Sequence, residues 1–227
     1  RELNASAQRR MAVLHPLRLV IDNWPTEPDG TPVVEYFEVT NNPENAADGT
    51  RQVAFSGELW IEADDFAEVP PPKFFRLSPG REVRLRGAYL VTATTVDKDA
   101  DGNVVTVHAT YDPQTRGGDA PDGRKVKSTM HWVSAAHAVE ITAALYERLF
   151  TAPVPGEATG EPLDDLNPRS REVVAGKAEA ALADVAPGQV VQFERLGYFA
   201  ADPDTPLLFH RTVGLRDEWA AIQRRQG

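Results

Sequence analysis

The stretch Leu90-Val91-Thr92-Ala93-Thr94-Thr95-Val96-Asp97-Lys98-Asp99-Ala100-Asp101-Gly102-Asn103-Val104-Val105-Thr106-Val107-His108-Ala109-Thr110-Tyr111 sets two β-branched, alternating runs on either side of an acidic turn. Asp97 to Gly102 copies the first half of a calcium-binding EF-hand loop, with acidic residues at alternate positions before an obligatory glycine. The twelfth position of such a loop is a glutamate, and here it is His108. Both flanks alternate with the period of a strand, so Asp101-Gly102 reads as a hairpin turn.

The same reading extends outward. Eighteen prolines and sixteen glycines cut the chain into short pieces, most of them with alternating, β-branched or aromatic content. Strands are expected at Met11 to Ile21, Val33 to Val39, Gln52 to Ile61, Glu82 to Val96, Asn103 to Tyr111, Val126 to Val133, Ile141 to Leu145, Val173 to Ala178, Val190 to Phe193 and Leu207 to Val213. The fold class is therefore all-β. About ten strands exceed one small barrel, which points to two barrels or a barrel with a large extension. No internal repeat stands out. Thr151 to Asp165, rich in Pro, Gly, Thr and acidic residues, reads as a linker or mobile loop. Ala178 to Val185 has a helical option ending at Pro187-Gly188. Ala135 to Phe150 allows either helix or strand, and strand is preferred.

Composition removes several functional classes. The 227 residues contain no cysteine, which excludes disulfides, thiolate metal sites and cysteine nucleophiles, and favours a reducing compartment. No apolar run approaches the roughly 20 residues that span a bilayer, so a soluble protein without a membrane partner is expected. The chain starts at Arg1 with no signal-peptide pattern and is expected to begin within a longer gene product. A net charge of −10 argues against nucleic acid at first sight. Arginines nonetheless cluster at Arg9-Arg10, Arg76 to Arg86, Arg195 and Arg211 to Arg216, and screening over about 8 Å lets such patches act locally. The five histidines lack the spacing of a metal site and read as structural. There is no glycine-rich phosphate loop and no nucleophile elbow, so no active site is expected.

Polar residues inside well-patterned strands remain. Val83-Arg84-Leu85-Arg86 puts two guanidinium groups on one strand face. Such a pair costs energy unless an anion lies between them or carboxylates neutralise them. Gln192-Phe193-Glu194-Arg195, followed by Gly197-Tyr198-Phe199, offers an amide, a carboxylate and a guanidinium beside aromatic rings. That set can read base edges or form an ordinary polar rim. Phe74-Phe75-Arg76 after Pro70-Pro71-Pro72-Lys73 interleaves rings and cations in a manner suited to unstacked bases.

At these residues the chain resembles the C-terminal anticodon-binding region of glutaminyl-tRNA synthetases. The likeness runs through Arg10-Met11-Ala12-Val13, Arg51 to Ile61, Gly80 to Arg86, His131 to His137, Leu145 to Phe150, Gln192 to Phe199 and Arg211 to Asp217. The related glutamyl-tRNA synthetases of archaeal and eukaryotic type share the barrel region and are one alternative. A free-standing barrel that binds structured rRNA or a protein partner is the other.

The resemblance implies two antiparallel β-barrels, related to the ribosomal protein that binds 5S RNA, with short helices in the connections. The barrels would span 1–128 and 129–227, with the N-terminal strand a candidate for exchange between them. It implies recognition of the CUG or UUG anticodon of glutamine tRNA. Arg9, Gln192 and Arg195 would serve the central uridine, with Glu194 in the same wall. Arg76 would contact the third base, and Arg84 with Arg86 would hold the first base and its phosphate. Asn4, Asn41 and Arg216 match positions near the anticodon stem or loop. Phe75 stands where the family has a basic residue, with Lys73 the candidate replacement. The HIGH-like and KMSKS-like motifs of the family's ATP-binding Rossmann domain are absent from this sequence. This chain is thus expected to be an inactive part of a glutamine-tRNA ligase, without cofactor of its own, ATP and magnesium belonging to the catalytic domain. Its expected partners are glutamine tRNA and that N-terminal domain. A cytoplasmic monomer that binds no DNA is expected.

Overall fold

The computed structural model describes residues 2–215. A short helix, α1 (Glu2–Ser6), leads into β1 (Gln8–Arg10), β2 (Ala12–Val13), β3 (Pro16–Ile21), β4 (Glu35–Thr40), β5 (Thr50–Phe55), β6 (Glu58–Glu62), β7 (Glu82–Leu85), β8 (Leu90–Lys98) and β9 (Val104–Tyr111). They are followed by β10 (Thr129–Met130), β11 (Val133–Ser134), β12 (Val139–Tyr146), β13 (Arg171–Ala178), β14 (Val190–Phe193), β15 (Gly197–Ala201) and β16 (Leu208–Gly214). The protein is all-β.

Two seven-stranded sheets carry the architecture, ordered β10-β7-β8-β9-β3-β6-β11 and β1-β14-β15-β16-β12-β13-β2, with β4 and β5 forming a separate hairpin. Chain length shows that each sheet curls on itself. The edge strands β10 and β11 are separated only by His131 and Trp132, so at about 3.8 Å per residue the two edges lie within about 11 Å. In the second sheet the edges β1 and β2 are separated by Met11 alone. Each sheet is thus a barrel whose opposite edges are covered by one continuous segment.

Read across each sheet from its first edge, the pairings follow the same sequence: parallel, antiparallel, antiparallel, parallel, antiparallel, antiparallel. The barrels are therefore mixed rather than wholly antiparallel, and the chain does contain a repeat. Pro79-Gly80-Arg81-Glu82-Val83-Arg84-Leu85-Arg86 occupies the place of Pro187-Gly188-Gln189-Val190-Val191-Gln192-Phe193-Glu194. Gly80 donates its N–H to Ala93 as Gly188 does to Ala201. Arg86 donates its N–H to Met130 as Glu194 does to Arg10. The repeat escapes a linear reading because the closing segments are exchanged: residues 8–13 complete the barrel built from 139–214, and residues 129–134 complete the one built from 16–111.

Burial alternates as expected for barrel walls, with every second residue buried along β3 and β7 and the residues between them partly or fully exposed. The first core gathers Trp24, Phe55, Tyr89 and Trp132, with the Phe55 and Trp132 rings 4.8 Å apart and edge-on. The second is centred on Phe193, Phe199 and Phe209, with the first two rings stacked at 4.1 Å.

Several expected elements are cut differently. Met11 to Ile21 breaks at Leu14-His15, where the chain passes from one barrel to the other. Gln52 to Ile61 is two strands joined by Ser56-Gly57, and Glu82 to Val96 is a hairpin. The hairpin turns at Gly87, whose φ of 67° is readily reached only without a side chain. Val126 to Val133 shrinks to the two short closing strands. Thr151 to Asp165 links no domains. It is a loop inside the β12–β13 hairpin, closed by pairing of Phe150 with Leu166 and by Asp165 Oδ2 accepting the Gly156 N–H at 2.8 Å. Ala178 to Val185 supplies only a 3-10 turn, Ala180–Asp184, while Val139–Tyr146 is a strand after a 3-10 turn at Ala135–His137. The strand β15 had no clear signal of its own.

The acidic turn is a hairpin loop between β8 and β9. The Asn103 side-chain amide donates to Asp99 Oδ2 at 3.1 Å and the N–H groups of Asn103 and Asp101 donate to Oδ1 at 2.8 and 3.0 Å, which together hold the Asp99 carboxyl below the ordinary range. His108 sits beside it. Its Nδ1 is 2.8 Å from Asp22 Oδ1 and its Nε2 is 3.0 Å from Asp97 Oδ2, and the two carboxylates raise the imidazole above its usual pKa. A raised folded pKa stabilises the fold below the unfolded value of about 6.5, and this contribution is lost as pH rises through the folded value. His108→Gln is expected to lose stability relative to the native chain at pH 6 and to lose less at pH 9, as read from urea midpoints.

Candidate nucleic-acid interface

The exchange of closing segments brings β1 beside β14, with Arg9 opposite Gln192. Arg9 is partly buried and Gln192 is only 8% exposed. Among the described residues neither side chain has a hydrogen-bond or ion-pair partner, although the Arg9 backbone N–H is held by Asn41 O at 2.6 Å. The neighbouring Arg10 points the other way, as strand alternation requires. Its guanidinium lies inside the protein, donating to Asn41 Oδ1 at 2.9 Å and to Gln8 Oε1 at 2.6 Å, 4.0 Å from the buried Glu179. Arg51 reaches the same Glu179 oxygen at 2.8 Å. Burial pushes the Glu179 carboxyl up and Arg10 down, each partly offset by the opposite charge.

At the end of β14, Glu194 is 3% exposed and forms an ion pair with Arg86. These two residues hold equivalent places in the two repeats, so the pair crosses from one barrel to the other. Arg195 follows in a left-handed conformation, φ 68°, at the place Gly87 fills in the first barrel. For a residue with a side chain this costs roughly 1–2 kcal/mol. The compensation is a two-pronged ion pair: Arg195 Nη1 and Nη2 donate to Asp65 Oδ2 and Oδ1 at 2.5 and 2.7 Å. Asp65, 1% exposed, also takes Arg76 Nη1 at 3.0 Å on Oδ1.

Asp65 ends a 3-10 turn, Ala63–Asp65, that follows β6, and Glu62 begins it. Glu62 accepts the N–H groups of Leu14 and His15 at 2.7 and 3.1 Å, at the point where the chain crosses between barrels. Burial opposes its ionisation, but the His131 and His15 imidazoles and the Leu14 amide outweigh burial and hold the carboxyl far below its ordinary range. His131, 1% exposed, lies between Glu62 and the Arg195 guanidinium that Asp65 holds. Its Nδ1 is 3.3 Å from Arg195 Nη1 and its Nε2 is 3.7 Å from Glu62 Oε1.

The other expected residues are more dispersed. Arg84 binds Gly118 O and lies 3.1 Å from Asp119, at the rim of an open cleft of about 460 Å³ that Arg124 and Lys125 also line. Arg84 and Arg86, adjacent on one strand face, thus each have their own carboxylate. Lys73 is exposed with φ 65°, and the Lys127 ammonium stands 4.9 Å over the exposed Phe75 ring. Asn4 accepts from Tyr198 Oη at 3.0 Å and donates to Glu44. Asn41 is buried, its amide spent on Arg10, Arg51 and Asp48. Arg216 lies outside the described residues. Asp65, Glu62 and His131 were missed: acidic residues are common in this sequence, and His131 read as an ordinary structural histidine. Among the described residues no cluster of His, Asp and Glu is arranged to hold a metal ion, and no helix is long and apolar enough to cross a membrane.

Residues 7–112 match the family model described as the anti-codon binding domain of class I tRNA synthetases (E and Q), and residues 129–202 match a second model of the same description. The chain belongs to this anticodon-binding family. It is 54% identical over 97% of its length to a glutamine–tRNA ligase of Nitrobacter hamburgensis, and 50% identical over 98% to one of Rhodopirellula baltica. Against that of Escherichia coli O157:H7 it is 46% identical over 97%. It spans 37–39% of the length of these relatives. The two family matches meet the two barrels, but neither match contains a whole barrel, because each barrel takes its closing segment from outside its own stretch of chain.

Glu62 fixes the crossing on which the anticodon-binding barrels depend. Glu62→Ala would strand two backbone N–H groups and is expected to lower stability by about 2–5 kcal/mol, measured by urea unfolding.

Proposed function

We propose that this chain is the anticodon-reading part of a glutamine-tRNA ligase, formed of two barrels assigned to 1–128 and 129–227, and that it recognises the CUG or UUG anticodon. The observation that carries this reading is the Arg9–Gln192 pair, two polar side chains set opposite each other on paired strands without partners among the described residues. A uracil edge presents acceptors on either side of one N–H donor. Gln192 supplies an acceptor and a donor, and its amide can turn over to suit either polarity. Arg9 only donates, so it fixes the polarity and leaves the amino group of cytosine facing a donor.

Arg195 and Glu194 complete the wall of this pocket. Arg76 serves the third base, Arg84 and Arg86 the first base and its phosphate, and Asn4, Lys73 and Arg216 the stem and loop. Asn41 acts indirectly, by holding the Arg9 backbone and the Arg10 side chain. The remainder of the protein would supply the catalytic domain that uses ATP and magnesium to attach glutamine. The working enzyme is taken to be a cytoplasmic monomer.

Competition binding of anticodon stem-loops tests the assignment. A central cytosine is expected to cost about 1–3 kcal/mol against uridine in the native chain. Arg9→Gln and Gln192→Ala should reduce that preference, whereas Arg84→Ala should weaken all loops about equally. An unchanged preference for uridine in both pocket variants would refute it.

A further inference from the structure

We infer that Asp65 is a positioning residue that couples recognition of the middle anticodon base to recognition of the third; this rests on the anticodon-reading function proposed above. The two arginines assigned to those bases come from different barrels, Arg76 from the first and Arg195 from the second, and they meet on one carboxylate. Asp65 Oδ1 accepts Arg195 Nη2 at 2.7 Å and lies 3.0 Å from Arg76 Nη1, while Oδ2 accepts Arg195 Nη1 at 2.5 Å.

Two physical facts make this more than a surface salt bridge. Asp65 is 1% exposed, so its charge is poorly solvated and must be matched by these guanidinium groups. Arg195 is held in a left-handed backbone conformation, which narrows the directions its side chain can take. A base that fixes one guanidinium therefore also fixes the carboxylate that orients the other, and the ordering of the cluster is met once for both bases. Groups that share a partner in this way are not additive. Losing the correct base at one position removes part of the value of the correct base at the other.

The test is binding of the 227-residue chain to four anticodon stem-loops: CUG, CCG with the middle base changed, CUA with the third base changed, and CCA with both. In the native chain the double change should weaken binding by at least about threefold less than the product of the two single effects. Arg76→Gln alters a partly exposed side chain and leaves Arg195 on Asp65. It should lower the preference for uridine over cytosine at the middle base by a similar factor, although Arg76 is assigned to the other base. Asp65→Asn should reduce discrimination at both positions and make the two changes multiply.

Multiplicative effects in the native chain, or an Arg76→Gln variant changed only at the third base, would overturn the inference while leaving the anticodon reading intact. Absence of any preference for CUG over the altered loops in the native chain would overturn both.

Discussion

Each barrel is closed by a segment that belongs, in chain order, to the body of the other. Residues 8–13 leave one edge of the second barrel at Arg10, pass through the buried Met11 and arrive at its opposite edge at Ala12. Residues 129–134 do the same in the first barrel around Trp132. Neither barrel has its full set of paired edges without the other's neighbouring chain, and an unpaired edge is both unstable and adhesive. The two barrels are therefore expected to fold as one cooperative unit.

The exchange buries backbone N–H groups at the crossing, around Met11 and Leu14, and the protein meets this with charge. Glu62 caps the Leu14 and His15 amides, Glu179 accepts the Met11 amide and the Arg51 guanidinium, and Asp65 receives Arg195. A buried carboxylate is tolerable only when opposing charge or N–H groups converge on it, so each one dictates where arginines and amides must lie. The excess of acidic residues in the composition is thus partly structural. It orients basic groups: Arg76, Arg86 and Arg195, three of the arginines assigned to the proposed interface, are each held by a buried carboxylate.

The repeat places the two ends of the proposed interface at equivalent turns. Arg86 and Glu194, which occupy matching positions after β7 and β14, bind each other across the junction. The first barrel completes its turn with Gly87 and the second with Arg195, at nearly the same φ. One repeat thus uses the left-handed position for conformational ease, and the other places there a cation that Asp65 can hold.

Much was legible in the sequence because it depends on local periodicity. Alternation in Leu90–Lys98 and Val104–Tyr111 with an Asp-Gly turn defines a hairpin whatever surrounds it, and the all-β class follows from many such runs. The polar residues of Gln192 to Arg195 stood out against a strand pattern, and the run from Gly80 to Arg86 carried the family likeness. What local pattern could not decide was pairing between distant segments. Arg9 and Arg10 look identical in the sequence, and only the β1–β14 register turns one toward Gln192 and the other into the core. Asp65 is one acidic residue among many until the fold brings Arg195 from 130 residues away onto it. Strand content is set by neighbours along the chain, whereas closure, exchange and buried charge matching are set by neighbours in space.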